Sequence, residues 1–385
     1  MWRKTMTPCL QPSLQLPAMS ENRLRVRDIG LIIGELPPGP NNAITDIEGV
    51  KVGHCTVRFG EGELKCGQGP ARTGVTAIIP QEGDCFQNKL EAAAYVINGF
   101  GKSIGLPQLQ EMGQLESPIL LTNTLNVPRV ADALLDYMLE HNPDIGVTTG
   151  TINLVVGECN DGYLNDIQGR HVQKQHVLTA LQSASAGPVE QGDVGGGTGM
   201  VAFGLKGGIG TSSRVLPTEY GGFTVGVLVM SNFGSRRQLL IAGAPIGKDL
   251  IDYQEGCEND GSIMVILGTD APLKSRQLLR LAKRVPFGLA RTGSIASNGS
   301  GDFAIAFSTT LSQPHETIPG ERQCPALAED GRMMTFFFQA TVEAVEEAVL
   351  NSLFAAHTTI GRDHHIVPAL PLAQTVNLLK RYGRL

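Results

Sequence analysis

Asp260-Gly261-Ser262-Ile263-Met264-Val265-Ile266-Leu267 is the stretch on which the fold turns. A charged, polar loop, Glu255-Gly256-Cys257-Glu258-Asn259-Asp260, closes on a Gly-Ser pair, and five apolar residues follow. A run of that length bounded by a turn reads as a buried strand. Serine adds little to packing at the start of such a strand. Freed by cleavage of the Gly261–Ser262 bond, it would carry a hydroxyl nucleophile and an α-amine together. The amine has an ordinary pKa of about 7.7–8.0, which suits a general base for its own side chain. Taken locally, the same residues are also a simple turn entering a strand.

Working outward, apolar strands are read at Val50–Val57, Gly74–Pro80, Thr151–Val156, Gly222–Met230 and Asp302–Thr309. Helical spacing of apolar residues marks Arg129–His141 and Leu273–Val285, the latter after Pro272. A long helix is expected over Thr335–Thr358, with Glu343, Glu346 and Glu347 along one side. Mixed elements with continuous apolar strands imply sheets covered on both faces, as α/β/β/α or α/β/α layers. The body, residues 24–385, carries no linker or repeat and is expected as one domain. Residues 1–23 read as a disordered tail, with Met1 or Met19 as the start. Arg3 and Lys4 suggest a signal peptide, but Pro8, Pro12 and Pro17 interrupt any apolar core for one.

The chain has 385 residues, a net charge of −6 and 47 glycines. An acidic balance argues against nucleic acid as the main partner. No apolar run approaches the ~18 residues that span a bilayer, so no membrane partner is expected. Seven scattered cysteines without a CxxC fit a reducing cytoplasm. With no HExxH and no paired acidic cluster, neither metal nor cofactor is expected.

Four further stretches carry candidate chemistry. Ser300 and Asp302 lie two apart in Asn298-Gly299-Ser300-Gly301-Asp302, so an extended segment turns both to one face. Glu158 follows an apolar run in Val155-Val156-Gly157-Glu158-Cys159-Asn160-Asp161-Gly162-Tyr163, where a carboxylate could hold an ammonium group. Asn232 ends another in Met230-Ser231-Asn232-Phe233-Gly234, where its amide could donate to an oxyanion. Asp193-Val194-Gly195-Gly196-Gly197-Thr198-Gly199 suggests a phosphate loop but lacks Walker spacing. Backbone packed closely as a site wall is the competing reading.

Together these stretches, with Thr269-Asp270-Ala271-Pro272, Phe303-Ala304-Ile305-Ala306-Phe307-Ser308-Thr309 and Asn42–His54, resemble the DmpA-type family. These are the L-aminopeptidase/D-amino-acid esterase-amidases and the β-peptidyl aminopeptidases. The resemblance runs from about Leu24 to the C-terminus. It implies a four-layer αββα sandwich similar to that of N-terminal-nucleophile hydrolases but differently connected. It implies a chain that cuts itself between Gly261 and Ser262 into an α chain, 1–261, and a β chain, 262–385. By resemblance, Ser262 is the nucleophile, Ser300 and Asp302 its relay and Asn232 the oxyanion donor. Glu158 holds the substrate's free amine, and Tyr163 is a site residue. Substrates would be short peptides or aminoacyl amides or esters with a free amine. The assembly would be a homo-oligomer, a tetramer of αβ units. The family pattern has Glu where this chain has Asp302, one methylene shorter. The stretch Thr122–Asn126 falls near the expected pocket. Two other classes stay open: a phosphate-binding enzyme using Gly195–Gly199, and a non-catalytic assembly protein of the same fold.

Overall fold

The computed structural model describes residues 23–250, 261–316, 326–329 and 331–385. The expected tail and the loop Glu255–Asp260 lie outside the described residues, apart from Arg23. Two sheets form the centre. The first has the order β1 (Lys51–Phe59), β2 (Ala71–Ile79), β5 (Ile119–Asn123), β6 (Val155–Cys159). The second has the order β4 (Gln114–Leu115), β3 (Asn88–Gly99), β12 (Gly301–Pro314), β11 (Ser262–Thr269), β10 (Thr224–Asn232), β9 (Gly208–Val215). A small hairpin, β7 (Val201–Ala202) and β8 (Leu205–Lys206), precedes β9, and another, β13 (Thr359–Ile360) and β14 (Ile366–Val367), lies near the C-terminus.

The strand beginning at Ser262 is central, parallel to β12 and antiparallel to β10. Its side chains alternate with period two. Met264 and Ile266 enter the core between the sheets, where they meet Leu121, Val155 and Cys159 of the first sheet. Ile263, Val265 and Leu267 face the outer layer. Buried on both faces, the strand has no polar alternation, which is why it reads as one apolar run. Each such fully buried side chain contributes about 1.5–3 kcal/mol.

Outside the first sheet lie α2 (Val127–His141) and α3 (Lys174–Gln182), packing Val130, Leu134 and Val177 on Val75, Leu120 and Val156. Packed on β3 and β4, the short α1 (Leu106–Glu111) adds Leu106 and Leu109 to the central core. Outside the second sheet lie α5 (Ser275–Ala282), α6 (Val285–Arg291) and α7 (Gly331–Ala355), with the short α4 (Ile246–Asp249) and α8 (Leu372–Arg381) beside them. The layers are therefore α, β, β, α.

Two expected elements are reshaped, and two features had no expectation. The helix read over Leu273–Val285 is two helices, because Pro286 starts a new one after Lys283-Arg284. The strand read from Thr151 begins at Val155. β3 escapes a reading by pattern, since Ala92-Ala93-Ala94 carries no β-propensity. These alanines are small because both faces are covered: Ala92 and Ala94 face the other sheet, and Ala93 faces the helices. The acidic side of the long helix is buried. Arg214, itself inaccessible, donates to Glu343 at 3.2 Å and Glu347 at 2.7 Å.

Candidate active site

Register brings the candidates together. Asn232, last in β10, pairs with Ser262, first in β11, and Ser262 pairs with Gly301, first in β12. Ser262 has the inward parity of Met264, so its hydroxyl enters the gap between the sheets. There it accepts the Asn160 N–H at 3.4 Å from the end of the first sheet. It also accepts from Asn232 Nδ2 at 3.2 Å. The Asn232 amide has one orientation: Val201 N–H donates to its Oδ1 at 2.8 Å, and its Nδ2 also donates to Asn160 O at 3.0 Å. The oxygen being engaged by a donor, the nitrogen faces the Ser262 hydroxyl.

On the neighbouring strand, the Ser300 hydroxyl donates to Asp302 Oδ1 at 2.6 Å, and the backbone N–H of Ile263, next to Ser262, also donates to this carboxylate. Burial pushes Asp302 up to about 6, against the pull of those two donors. Ser262 and Asn232 are 4% exposed, and Ser300 and Asp302 2%, so their interactions are little screened by water. Gly261 carries the bond preceding Ser262. Its carbonyl accepts the Gly301 N–H at 3.1 Å. A Cβ at Gly261 would lie 2.5 Å from Phe233 Cα, so only glycine fits. A cleft lined by Phe233, Gly261, Ser297 and Ser300 lies beside this bond.

Glu158, next to last in β6, is buried. It accepts the Lys102 N–H at 2.8 Å and the Thr124 hydroxyl. Tyr163 stacks on His365, with ring centroids 4.3 Å apart. It packs beside Val201, whose N–H fixes Asn232. Cys159 lies beside Ser262, and burial followed by the Glu158 charge pushes its thiol well above the ordinary range.

Several of these groups left no trace in the sequence reading. Asn160, Val201, Lys102 and Gly301 act through backbone atoms, which any residue type provides. Thr124 lay inside the stretch assigned to the pocket, without a stated role. His365 carries no motif of its own in the sequence.

The glycine-rich loop behaves differently. Gly195 and Gly196 N–H groups donate to Thr56 and Thr76 hydroxyls at 2.8 and 3.1 Å, and Gly197 N–H donates to Val194 O. Lys206, pulled down to about 7 by burial, donates to the carbonyls of Gly197, Met200 and Gly207. The loop threads between the sheets. A Cβ at Gly197 would sit 2.5 Å from Ile209 N, so the glycines serve close packing and these amides are not free for a phosphate. Among the described residues, no group of three or more His, Cys, Asp or Glu is placed to hold a metal ion. Nor is any helix among them long and apolar enough to cross a membrane.

Residues 42–367 match the family model for peptidase family S58. The β-peptidyl aminopeptidase BapA of Sphingosinicella microcystinivorans is 40% identical over 392 residues, covering 96% of this chain and 95% of that protein. BapA of Sphingosinicella xenopeptidilytica is 40% identical over 371 residues, 92% of this chain and 91% of its own. Among solved structures, the PH0078 protein of Pyrococcus horikoshii OT3 is similar with a TM-score of 0.90 and 50% identity, covering 94% of this chain and all of that one. The L-aminopeptidase D-Ala-esterase/amidase of Ochrobactrum anthropi has a TM-score of 0.86 and 38% identity, over 94% and 99% of the two chains. It is described as a prototype of the serine aminopeptidases and a new variant of the Ntn hydrolase fold.

Proposed function

Because the chain belongs to peptidase family S58, we propose that it is a serine aminopeptidase that generates its own N-terminal nucleophile at Ser262. The observation that carries this reading is the meeting of Ser262 Oγ with Asn232 Nδ2 at 3.2 Å, beside the hydrogen-bonded Ser300–Asp302 pair.

In the uncut chain, Ser262 Oγ attacks the Gly261 carbonyl carbon. The C–N bond breaks, the Ser262 amine leaves with the proton, and water hydrolyses the resulting ester. The products are residues 1–261 and 262–385. Both stay in place because β11 is held between β10 and β12. In turnover, Glu158 pairs with the free ammonium of a short peptide or an aminoacyl amide or ester. Ser262 Oγ attacks the first carbonyl and its α-amine takes the proton. Ser300 and Asp302 orient that amine. Asn232 Nδ2 donates to the oxyanion, a contact of the kind whose loss costs about 2.7–4 kcal/mol. The amine product departs, and water releases the acid. Tyr163 with His365 forms one wall of the substrate cleft.

The reading extends to a cytoplasmic homo-oligomer, a tetramer of αβ units. Four described cysteines, 55, 66, 85 and 159, are free thiols, as suits a reducing compartment. Light scattering of the purified protein tests the assembly.

The decisive experiment is a denaturing gel with N-terminal sequencing of the smaller band. Two bands are expected, the smaller beginning Ser262-Ile263-Met264. A chain that hydrolyses aminoacyl p-nitroanilides while wholly uncut would overturn the reading.

A further inference from the structure

We propose that Asn98 is the positioning residue of the site: its side-chain amide holds the turn before β12 so that Ser300, Gly301 and Asp302 present their groups together to Ser262 and to the Gly261 carbonyl. The proposal rests on the reading of Ser262 as a self-released nucleophile.

Asn98 Nδ2 donates to three carbonyls of one turn: Ser297 at 3.0 Å, Asn298 at 3.0 Å and Ser300 at 2.5 Å. An amide nitrogen has two hydrogens, so three acceptors share them, and the turn must wrap this one atom. Ser300 N–H closes the turn on Ser297 O at 2.9 Å. Ala296, just before it, sits at φ +50, a left-handed setting that a non-glycine residue keeps only when its surroundings impose it. Phe100 N–H adds a longer bond to Ser300 O, 3.3 Å.

The β11–β12 ladder places Gly301 opposite Ser262 but does not reach the turn before it. Asn98 lies opposite Asp302 in the β3–β12 ladder, but the register shifts between Asp302 and Phe303. The ladders begin at Gly301, and the Asn98 amide is the contact that holds the turn residues before it. The groups it governs are consecutive. Ser300 Oγ donates to Asp302, and the Gly301 N–H lies 3.1 Å from the Gly261 oxygen. That carbonyl belongs to the bond to be cut, so the Gly301 N–H already stands where negative charge develops when Ser262 attacks. Asn232 Nδ2 is meanwhile occupied by Ser262 Oγ and Asn160 O. A neutral donor suits the position, since a cation there would alter the charge balance at Asp302.

The test uses the full-length chain. Asn98→Ala removes the donor, and Asn98→Gln keeps an amide one methylene away. Self-cleavage is followed by pulse-chase, and the pH profile of kcat/KM is measured on chains already cut. In Asn98→Ala, self-cleavage should slow by about tenfold or more, and kcat should fall on the order of tenfold with KM nearly unchanged. The acidic limb should move to lower pH, because the base loses its nearby carboxylate. Asn98→Gln should recover part of both rates. A cut Asn98→Ala enzyme with the wild-type pH limb overturns the proposal, even if it melts earlier. If Asn98→Ala yields no folded protein, the same limb read in Asn98→Gln decides: unmoved and at wild-type rate, it overturns the proposal. A wild-type chain that stays whole refutes the self-processing reading instead, so the two failures are told apart.

Discussion

Two sets of buried carboxylates in this molecule are treated in opposite ways. On α7, Glu343 and Glu347 face cations: Arg214 bonds both, and Arg27 donates to Glu347 at 2.8 Å. Asn42 and the Leu36 N–H complete their shells. In the candidate site, the partners of Glu158 and Asp302 among the described residues are neutral: Lys102 N–H and Thr124, Ser300 and Ile263 N–H. Carboxylates that hold structure are neutralised by the protein's own arginines. Carboxylates solvated only by dipoles keep their charge available for a cation that arrives later. A substrate ammonium and a protonated Ser262 amine are such cations.

Four changes break or sharpen this contrast. Ser262→Ala removes the proposed nucleophile and should abolish both cutting and turnover, leaving one uncut band on a gel. Wild-type activity in that variant would remove Ser262 from the mechanism.

Arg214→Met tests the structural set. It leaves Glu343 buried without its cation and Glu347 with Arg27 alone, a loss worth about 3–5 kcal/mol. Denaturant unfolding should show that loss, while KM of whatever folds stays near wild type.

Asp302→Asn tests the other set, with the opposite sign. An acid whose folded-state pKa is raised contributes stability in full below its unfolded value, and loses it as pH climbs through the folded value. Asp302 is held at about 6 by burial, so its ionised form costs the fold on the order of 3 kcal/mol at neutral pH. The Asn variant should therefore be more stable than wild type at pH 7.5, with the gap closing towards pH 4. It should also be less active, with the acidic limb of kcat/KM at lower pH. Asp302→Glu should keep substantial activity. Equal stability at pH 7.5 in wild type and Asp302→Asn would remove the strain argument.

Glu158→Gln is expected to have the mildest effect. A hydrogen bond to a charged group is worth about 1.5–3 kcal/mol, so KM should rise on the order of tenfold to hundredfold while self-cleavage continues. Acetylated substrates should not turn over. Equal rates on acetylated and free substrates would mean that Glu158 does not read the amine.

Two glycine-rich segments show where reading by pattern stops. Gly195–Gly199 and Asn298–Asp302 look equally able to form sites. What separates them is where their polar atoms point. The first spends its amides on Thr56, Thr76 and Val194 inside the gap between sheets. The second turns a hydroxyl to Asp302 and an N–H to the Gly261 carbonyl. Local sequence carries no record of that bookkeeping.

The sequence by itself determined the buried strand at Ser262, because five consecutive apolar residues after a polar turn have no other stable place. It also determined the flanking helices α2 and α7 through their periodicity, and it singled out Gly261, Ser262, Asn232, Glu158, Ser300 and Asp302 at strand ends through a family's motif order. Tertiary structure decided what sits beside what. Asn232 reaches Ser262 only because β10 and β11 pair in one register, and a slip by a single residue would turn one of them to the opposite face. Asn160 and Glu158 arrive from the other sheet, across a core filled by Met264, Leu121 and their neighbours. The backbone donors of Asn160, Val201, Lys102 and Gly301 have no side-chain signature at all. Their position follows from chain path alone, and the path is set by packing between residues far apart in sequence.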